Sequence, residues 1–361
     1  MRIHLLGLAH TITHTRFSHC AFTGKVRRFA PMVQSVGYDV IHYGVEGAES
    51  GAKEQVDVLP ATAWAQLGGR EPGTQQIGVG LSFESLLYQE FNRRLTQALR
   101  ARVEPRDIIA FPFGYAHYDA IRDPVIQRAY FLESGIGYPA AWTPFRVYES
   151  QAWMHFHLGR AGLPSGRGSD YWWVVPNYYD PDDWPRGDGA GDYIAYLGRL
   201  NQDKGLDIVL ELARACPDLR FVLCGQGDPT RWLRVPNIEY RPPIHGKGVA
   251  EYLGRARCVV MPTRYVEPFG GVAAEAMLCG TPVLGSTFGA FTETITHGTT
   301  GYRCRVLQDW IDALGEVVRL NRRRIRMMAQ QRYSMWILAS EYAKIFEQLA
   351  DLGQAGWATR R

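Results

Sequence analysis

Short apolar runs alternate with amphipathic stretches along most of the chain, the pattern of strands buried beneath helices in an α/β protein. Ile3 to Leu8 reads as a first strand and Ala9 to Thr23 as a polar loop. Gly24 to Val36 then reads as a helix with Val26, Phe29, Ala30, Val33 and Val36 on one face. Gly37 closes that helix, and Tyr38 to Tyr43 forms the next strand. A glycine-rich stretch, Gly68 to Gly80, precedes an amphipathic helix from Phe83 to Leu99. Asp107 to Phe111 is a buried strand ending at Pro112, so Phe113 to Asp119 follows a strand's carboxyl end, where ligands gather in doubly wound sheets. Pro139 to Tyr148 holds a further apolar-aromatic strand, and Ser150 to His157 follows it.

Asn177 to Gly191 is rich in Pro, Asp and Gly, the composition of a linker. Beyond it a new βα pattern begins: strand Tyr193 to Leu197, helix Leu206 to Ala215, strand Arg220 to Cys224, helix Val249 to Arg255, strand Cys258 to Met261 and a short strand at Pro282 to Leu284. This regularity predicts a second Rossmann-like domain. A last helix spans Tyr333 to Leu349, with Tyr333, Trp336, Tyr342 and Phe346 as its aromatic anchors.

At 361 residues the chain can bury two cores, and 46% hydrophobic with 21% charged residues is an ordinary globular balance. A net charge of +4 neither demands nor excludes nucleic acid. The six cysteines (Cys20, Cys216, Cys224, Cys258, Cys279, Cys304) show no C-x-x-C pair, which disfavours a disulfide or zinc framework and favours free thiols. No apolar run reaches the length of a bilayer span, so a soluble cytoplasmic protein without stable membrane insertion is expected. The basic run from Asn321 to Arg326 leaves peripheral contact with anionic lipid open, beside its plainer reading as the solvated face of a late helix.

Between Tyr265 and Gly285, Glu267 and Glu275 stand eight positions apart around a glycine pair that should open a helix. Backbone N–H groups after Phe269, at Gly270, Gly271 and Val272, together with the positive end of the helix dipole, suit a diphosphate. Glu275 sits on a helix that is apolar nearly all round, where a carboxylate needs a partner such as a ribose diol. Glu267 before a proline also fits a plain first-turn charge favouring the dipole. Arg199 and Lys204 follow a strand within Tyr196 to Gly205 and offer cations to a leaving phosphate; the plain alternative is a pair of surface charges on a βα loop.

The glutamate segment resembles the E-x7-E motif of retaining glycosyltransferases of the GT-B fold, the family-4 type. Tyr196 to Gly205 is similar to that family's phosphate-contacting loop, Val174 to Asp180 to its interdomain junction, and Phe288 to Ile295 with Gly298 to Tyr302 to a further stretch. The resemblance runs from about Trp172 to Tyr302 and is weak before it. It implies an α/β GT-B fold: two Rossmann-like domains facing a central cleft, with a C-terminal helix crossing back to the first. The boundaries it suggests are 1–176 for the acceptor domain, 177–332 for the donor domain and 333–361 for the crossover helix, with two crossings.

The resemblance also implies transfer of a sugar from a UDP- or GDP-sugar to an acceptor hydroxyl with retention, without cofactor or metal. Arg199 and Lys204 would clamp the diphosphate, Glu267 would hold hydroxyls of the transferred sugar and Glu275 the ribose. His117 would orient the donor sugar or offer a carbonyl, with a buried structural histidine as the alternative. Gly24, in Thr23-Gly24-Lys25, stands where the family has its glycine loop, although one of the family's two glycines is missing. Gly225 to Gly227 and Arg241 to Ile244 are expected around the base; uracil and guanine are not separable.

His10, His14 and His19, and likewise His155 and His157, lack an acidic or thiol partner at matching spacing for a metal site. Asp180-Pro-Asp182 matches a D-x-D signature but falls in the linker and reads as a turn. Glu293 is expected to pin the donor-site loop. A nucleotide-sugar epimerase would need an acid and a base among Glu46, Glu49, Asp119 and Glu133, which form no clear pair. A non-catalytic sugar- or nucleotide-binding protein is a third reading. The acceptor stays open between a saccharide, a lipid head group and a modified DNA base, and oligomeric state is not legible. Arg16, Phe17, His19, Lys25, Arg27 and Arg28 are the first half's candidates for acceptor contact.

Overall fold

The computed structural model describes residues 1–17, 20–71, 82–162 and 171–352. In chain order it places β1 (Ile3–Leu6), α1 (Ala21–Gln34), β2 (Val40–Val45), β3 (Glu54–Leu59), α2 (Ala61–Gln66), α3 (Leu86–Arg100), β4 (Ile108–Phe111), β5 (Tyr130–Ile136), β6 (Phe145–Tyr148), α4 (Gln151–Arg160) and β7 (Trp172–Val174). There follow β8 (Ile194–Leu197), α5 (Leu206–Ala215), β9 (Phe221–Cys224), β10 (Ile238–Arg241), α6 (Lys247–Arg255), β11 (Cys258–Met261), α7 (Gly271–Leu278), β12 (Val283–Ser286), α8 (Phe291–Thr294), β13 (Gly301–Cys304), α9 (Leu307–Glu316), α10 (Arg322–Tyr333) and α11 (Met335–Leu352).

The chain forms two compact units. One comprises Met1–Glu149, Gly162–Tyr178 and Met335–Arg361, the other Ser150–Ala161 and Tyr179–Ser334. The first unit carries a seven-stranded sheet ordered β3-β2-β1-β4-β5-β6-β7, the second a six-stranded sheet ordered β10-β9-β8-β11-β12-β13. Each pair of neighbouring strands is parallel. Strand order reverses at β1/β4 in one sheet and at β8/β11 in the other, and such switch points open a crevice at the carboxyl ends of the strands. Both units are therefore Rossmann-like.

The chain passes between the units more often than the two crossings expected, because α4 joins the second unit. Its N-terminus explains why. Glu293 accepts hydrogen bonds from the N–H groups of Gln151 (3.1 Å) and Ala152 (2.9 Å), neutralising the positive helix end, and the Ser150 hydroxyl donates to the Pro268 carbonyl at 2.6 Å. Glu293 thus holds α4 rather than the donor-site loop. At the other passage Tyr179 N–H donates to the Tyr333 carbonyl at 2.8 Å.

The last helix belongs to the first unit through Tyr342 and Phe346, both without exposed surface, packed with Phe29, Tyr178 and Tyr38. The other two expected anchors are placed differently. Tyr333 ends α10, with its ring edge-on to Phe269 in the second unit, and Trp336 is 49% exposed. The basic run before them is no uniformly solvated face. Arg322 donates to the carbonyls of Gly254 (2.6 Å) and Ala256 (3.0 Å) at the end of α6, and Arg326 donates to those of Leu278, at the end of α7, and Trp184. Spaced four apart on α10, these cations satisfy helix-terminal carbonyls that would otherwise lack partners. Burial pushes the Arg322 guanidinium below its ordinary value.

Further expectations shift in the first unit. Helix α1 begins at Ala21, so Thr23, Gly24 and Lys25 occupy its first turns and not a loop. Lys25 is buried, pairs with Glu149 and donates to the Gly135 carbonyl at 2.6 Å. Replacing Glu149 with Gln leaves that ammonium buried beside a neutral amide; the variant should lose about 3–5 kcal/mol of stability in denaturant titration. Lys25→Met combined with Glu149→Leu should recover most of the loss.

Candidate functional site

The β8/β11 switch point brings Lys204 and Glu267 together. After β8 the chain turns through Gly198, Arg199 and Leu200, and Asn201 accepts the Lys204 N–H with its side-chain oxygen at 3.1 Å. That cap fixes a single 3-10 turn, Gln202–Lys204, from which Gly205 (φ 73°) leads into α5. Gly205 is required: a Cβ there would collide with the Pro262 carbonyl on the neighbouring loop.

The β11 loop supplies the other wall. Glu267 is 8% exposed, and its carboxylate meets the Lys204 ammonium at 2.9 Å. The same ammonium lies 4.7 Å from the centre of the Tyr265 ring. Burial and the charge of Glu267 push the Tyr265 hydroxyl well above its ordinary value. The backbone of Glu267 is fixed as well, its carbonyl accepting from Ala290 N–H at 3.0 Å. Arg199 is exposed and enters no ion pair among the described residues, while Tyr196 donates to its carbonyl at 2.7 Å and sets the bend of the loop.

Gly270 (φ 78°) starts α7. Lys204, Glu267, Gly270, Gly271 and Val272 then line one cavity of about 100 Å³, closed below by Tyr196 and Met261. The opening N–H groups of a helix have no partner within it, so this cavity combines a lysine, a carboxylate and a positive helix end. It has the size of an anion subsite, and the rest of any larger ligand would lie outside it. A larger pocket on the same sheet edge has only Thr263 in common with it.

Other predicted residues stand apart from that cavity. Glu275 is half-buried one turn further along α7. Phe269 is a core residue, 2% exposed, so its ring offers nothing to a ligand. Gly225 follows β9, with its carbonyl accepting from Tyr240 at 3.1 Å, and Ile244 is half-buried before α6. The Arg241 guanidinium lies over the rings of Tyr193 and Tyr252.

In the first unit His117 has no exposed surface. Its ring contacts the Asn92 amide oxygen at 2.9 Å and the Gly7 carbonyl at 2.7 Å, which fixes the loops at the ends of β1 and β4. Burial lowers its pKa to about 4, against the opposing pull of the Gly7 carbonyl. The ring is turned inward, the structural alternative weighed for it. Burial also lowers His10 to about 4, and its Nδ1 lies 2.7 Å from the Tyr88 hydroxyl. His14 pairs with Glu49 at 3.3 Å, and His19 lies outside the described residues. Asp180 accepts the Asp182 N–H at 3.1 Å within a 3-10 turn.

The carboxylates of the rival epimerase reading are occupied or dispersed. Glu133 is fully buried and accepts from Tyr138, Trp142 and Thr143. Glu46 caps α2 by accepting the Ala61 N–H at 2.9 Å, and the Asp119 side chain is 73% exposed. The supporting residues that motif reading did not single out are Asn201, Tyr196 and Tyr265. A capping residue three positions before Lys204 was a readable signal for Asn201; the two tyrosines left none beyond their place in the motif.

This two-unit architecture with a closing helix is the GT-B glycosyltransferase fold. It matches the sucrose-phosphate synthase of Thermosynechococcus elongatus with a TM-score of 0.72 at 17% identity, over 98% of this chain and 100% of that one. Anabaena HepE, solved in complex with UDP-glucose, matches with a TM-score of 0.65 at 15% identity over 98% and 100% of the two chains. Residues 191–319 match the family described as Glycosyl transferases group 1. Among curated proteins, the D-inositol 3-phosphate glycosyltransferase of Mycobacterium leprae is 30% identical over 146 residues, 36% of this chain and 34% of that protein. The match thus spans about a third of that relative's length. No helix among the described residues is long and apolar enough to cross a membrane.

A direct check on the site's backbone is Gly270→Ala. A Cβ would sit in strained left-handed geometry only 2.6 Å from the Phe291 ring. The variant should be about 1–3 kcal/mol less stable in chemical denaturation.

Proposed function

We propose that the protein transfers a sugar from a nucleoside-diphosphate sugar to an acceptor hydroxyl with retention of configuration. The observation that carries this reading is the convergence of Lys204, Glu267 and the α7 N-terminus on one small cavity at the switch point. A diphosphate entering there meets the Lys204 ammonium and the N–H groups of Gly271 and Val272, and the exposed Arg199 stands on the same loop after β8. These groups are in place before reaction and supply the charge that departure of the nucleotide requires, without a metal. The match of residues 191–319 to group 1 glycosyltransferases supports the same reading.

Lys204 and Glu267 neutralise each other in the free site. Binding exchanges that pair for two better-suited contacts, the ammonium turning to phosphate oxygens and the carboxylate to sugar hydroxyls. Glu275, further along the same helix, holds the ribose diol. As the C1–O bond to phosphate breaks, its electron pair passes to the phosphate oxygen. That oxygen takes the proton of the acceptor hydroxyl, whose oxygen forms the new bond to C1 on the same face. A uridine nucleotide is the first donor to try, since HepE of the same fold was solved with UDP-glucose.

The test needs no acceptor. Slow hydrolysis of a panel of UDP- and GDP-sugars should single out one donor, and turnover of none across the panel overturns the enzymatic reading. Lys204→Ala should lower kcat for that donor about 10²–10³-fold, the cost of removing one preorganised charge from a developing anion. Glu275→Ala should chiefly weaken nucleotide affinity, measured by calorimetry with the free nucleoside diphosphate.

A further inference from the structure

The larger pocket of the second unit, about 500 Å³, lies over the ends of β11, β12 and β13, between α5 and α9. It shares only Thr263, on the loop after β11, with the proposed donor cavity between the loops after β8 and β11. Two arginines line it, Arg264 and Arg305, and no carboxylate does. Arg305 is exposed and enters no ion pair among the described residues. The nearby Asp309 carboxylate is committed to the backbone N–H groups of Arg305 (2.8 Å) and Val306 (3.1 Å). Arg264 pairs with Asp207 through one nitrogen at 2.5 Å, which orients its planar fork.

The independent observation is Ser286. It is the last residue of β12, 6% exposed and part of the pocket wall, and its hydroxyl has no hydrogen-bond partner. Its oxygen is covered by protein atoms, so it reaches a ligand only when the side chain turns toward the pocket, and leaving it unpaired costs about 1–3 kcal/mol. Thr263 and Thr287 add hydroxyls, and Trp310 gives an apolar wall. The volume falls in the range of small-molecule sites.

We infer that this pocket binds a small phosphorylated polyol, its phosphate monoester held by Arg264 and Arg305 and its hydroxyls met by Ser286 and the flanking threonines. Guanidinium forks suit phosphate oxygens, and the absence of acids from the lining disfavours a metal cation or an amine. The ligand is not the sugar donor, whose diphosphate belongs in the Lys204 cavity. The inference stands without the glycosyl-transfer reading.

Calorimetry on the full chain tests it with glycerol 3-phosphate, inorganic phosphate and glycerol. Glycerol 3-phosphate should bind, inorganic phosphate more weakly, and glycerol not at all. Arg305→Ala and Ser286→Ala should each weaken glycerol 3-phosphate binding about tenfold, the loss expected for one charge-assisted or buried hydrogen bond, while Lys204→Ala should leave it unchanged. Thermal unfolding of free Ser286→Ala should match or exceed wild type, since an unpaired polar group is removed, so a weaker affinity cannot come from misfolding. No binding of either phosphate at millimolar concentration, undiminished binding in Arg305→Ala, or a loss confined to Lys204→Ala overturns the inference.

Discussion

An ion pair between two loops, Lys204 to Glu267 at 2.9 Å, is the contact on which the proposed donor site depends. It joins residues 63 positions apart because β8 and β11 are neighbours in the sheet although β9 and β10 lie between them in the chain. A switch point leaves the two loops with no helix between them, so charged side chains can converge there. Neither charge is isolated, which lets Glu267 be buried and Lys204 half-buried without the penalty of a lone buried ion.

That geometry is held from outside. The Glu267 backbone is fixed by Ala290, the carbonyl before Phe269 is taken by Ser150, and the C-terminal carbonyls of α6 and α7 are taken by Arg322 and Arg326. Polar groups otherwise orphaned at helix ends become fasteners between elements. Two parts of the chain that lie far from the glutamate motif in sequence, α4 and α10, therefore help position it.

Strands β8, β9 and β11 of the second unit were legible in the sequence because they are uninterrupted apolar runs, whereas β10 (Ile238–Arg241) and β13 (Gly301–Cys304) carry charged residues and were not read as strands. The ranges read for α5 and β11 are those observed, and α7 opens at the glycine pair that announced it. The first unit was less so. Strand β5 reads Tyr-Phe-Leu-Glu-Ser-Gly-Ile, and its buried Glu133 and Gly135 break the apolar pattern for reasons visible only in space, since one accepts four hydrogen bonds and the other faces Lys25. Edge strands β3 and β7 bury little and carry weak signals. Helix α1 starts three residues before Gly24 because glycine was taken as its border, whereas the turn Ala21 to Gly24 was already helical. The roles of Phe269 and Tyr333 were blurred for a different reason: an aromatic residue beside a motif fits a ligand wall and a core equally well until burial is known.

The two units treat polar groups at their strand ends in opposite ways. In the first, Lys25 with Glu149, Glu133 with Tyr138 and Thr143, and His117 with Asn92 and Gly7 are sealed pairs, so burial removes them from contact with any ligand. In the second, Arg199 and Arg305 are exposed cations, and Ser286 is a buried hydroxyl without a partner. Sealed pairs stiffen a scaffold, whereas unsatisfied groups invite a ligand to complete them.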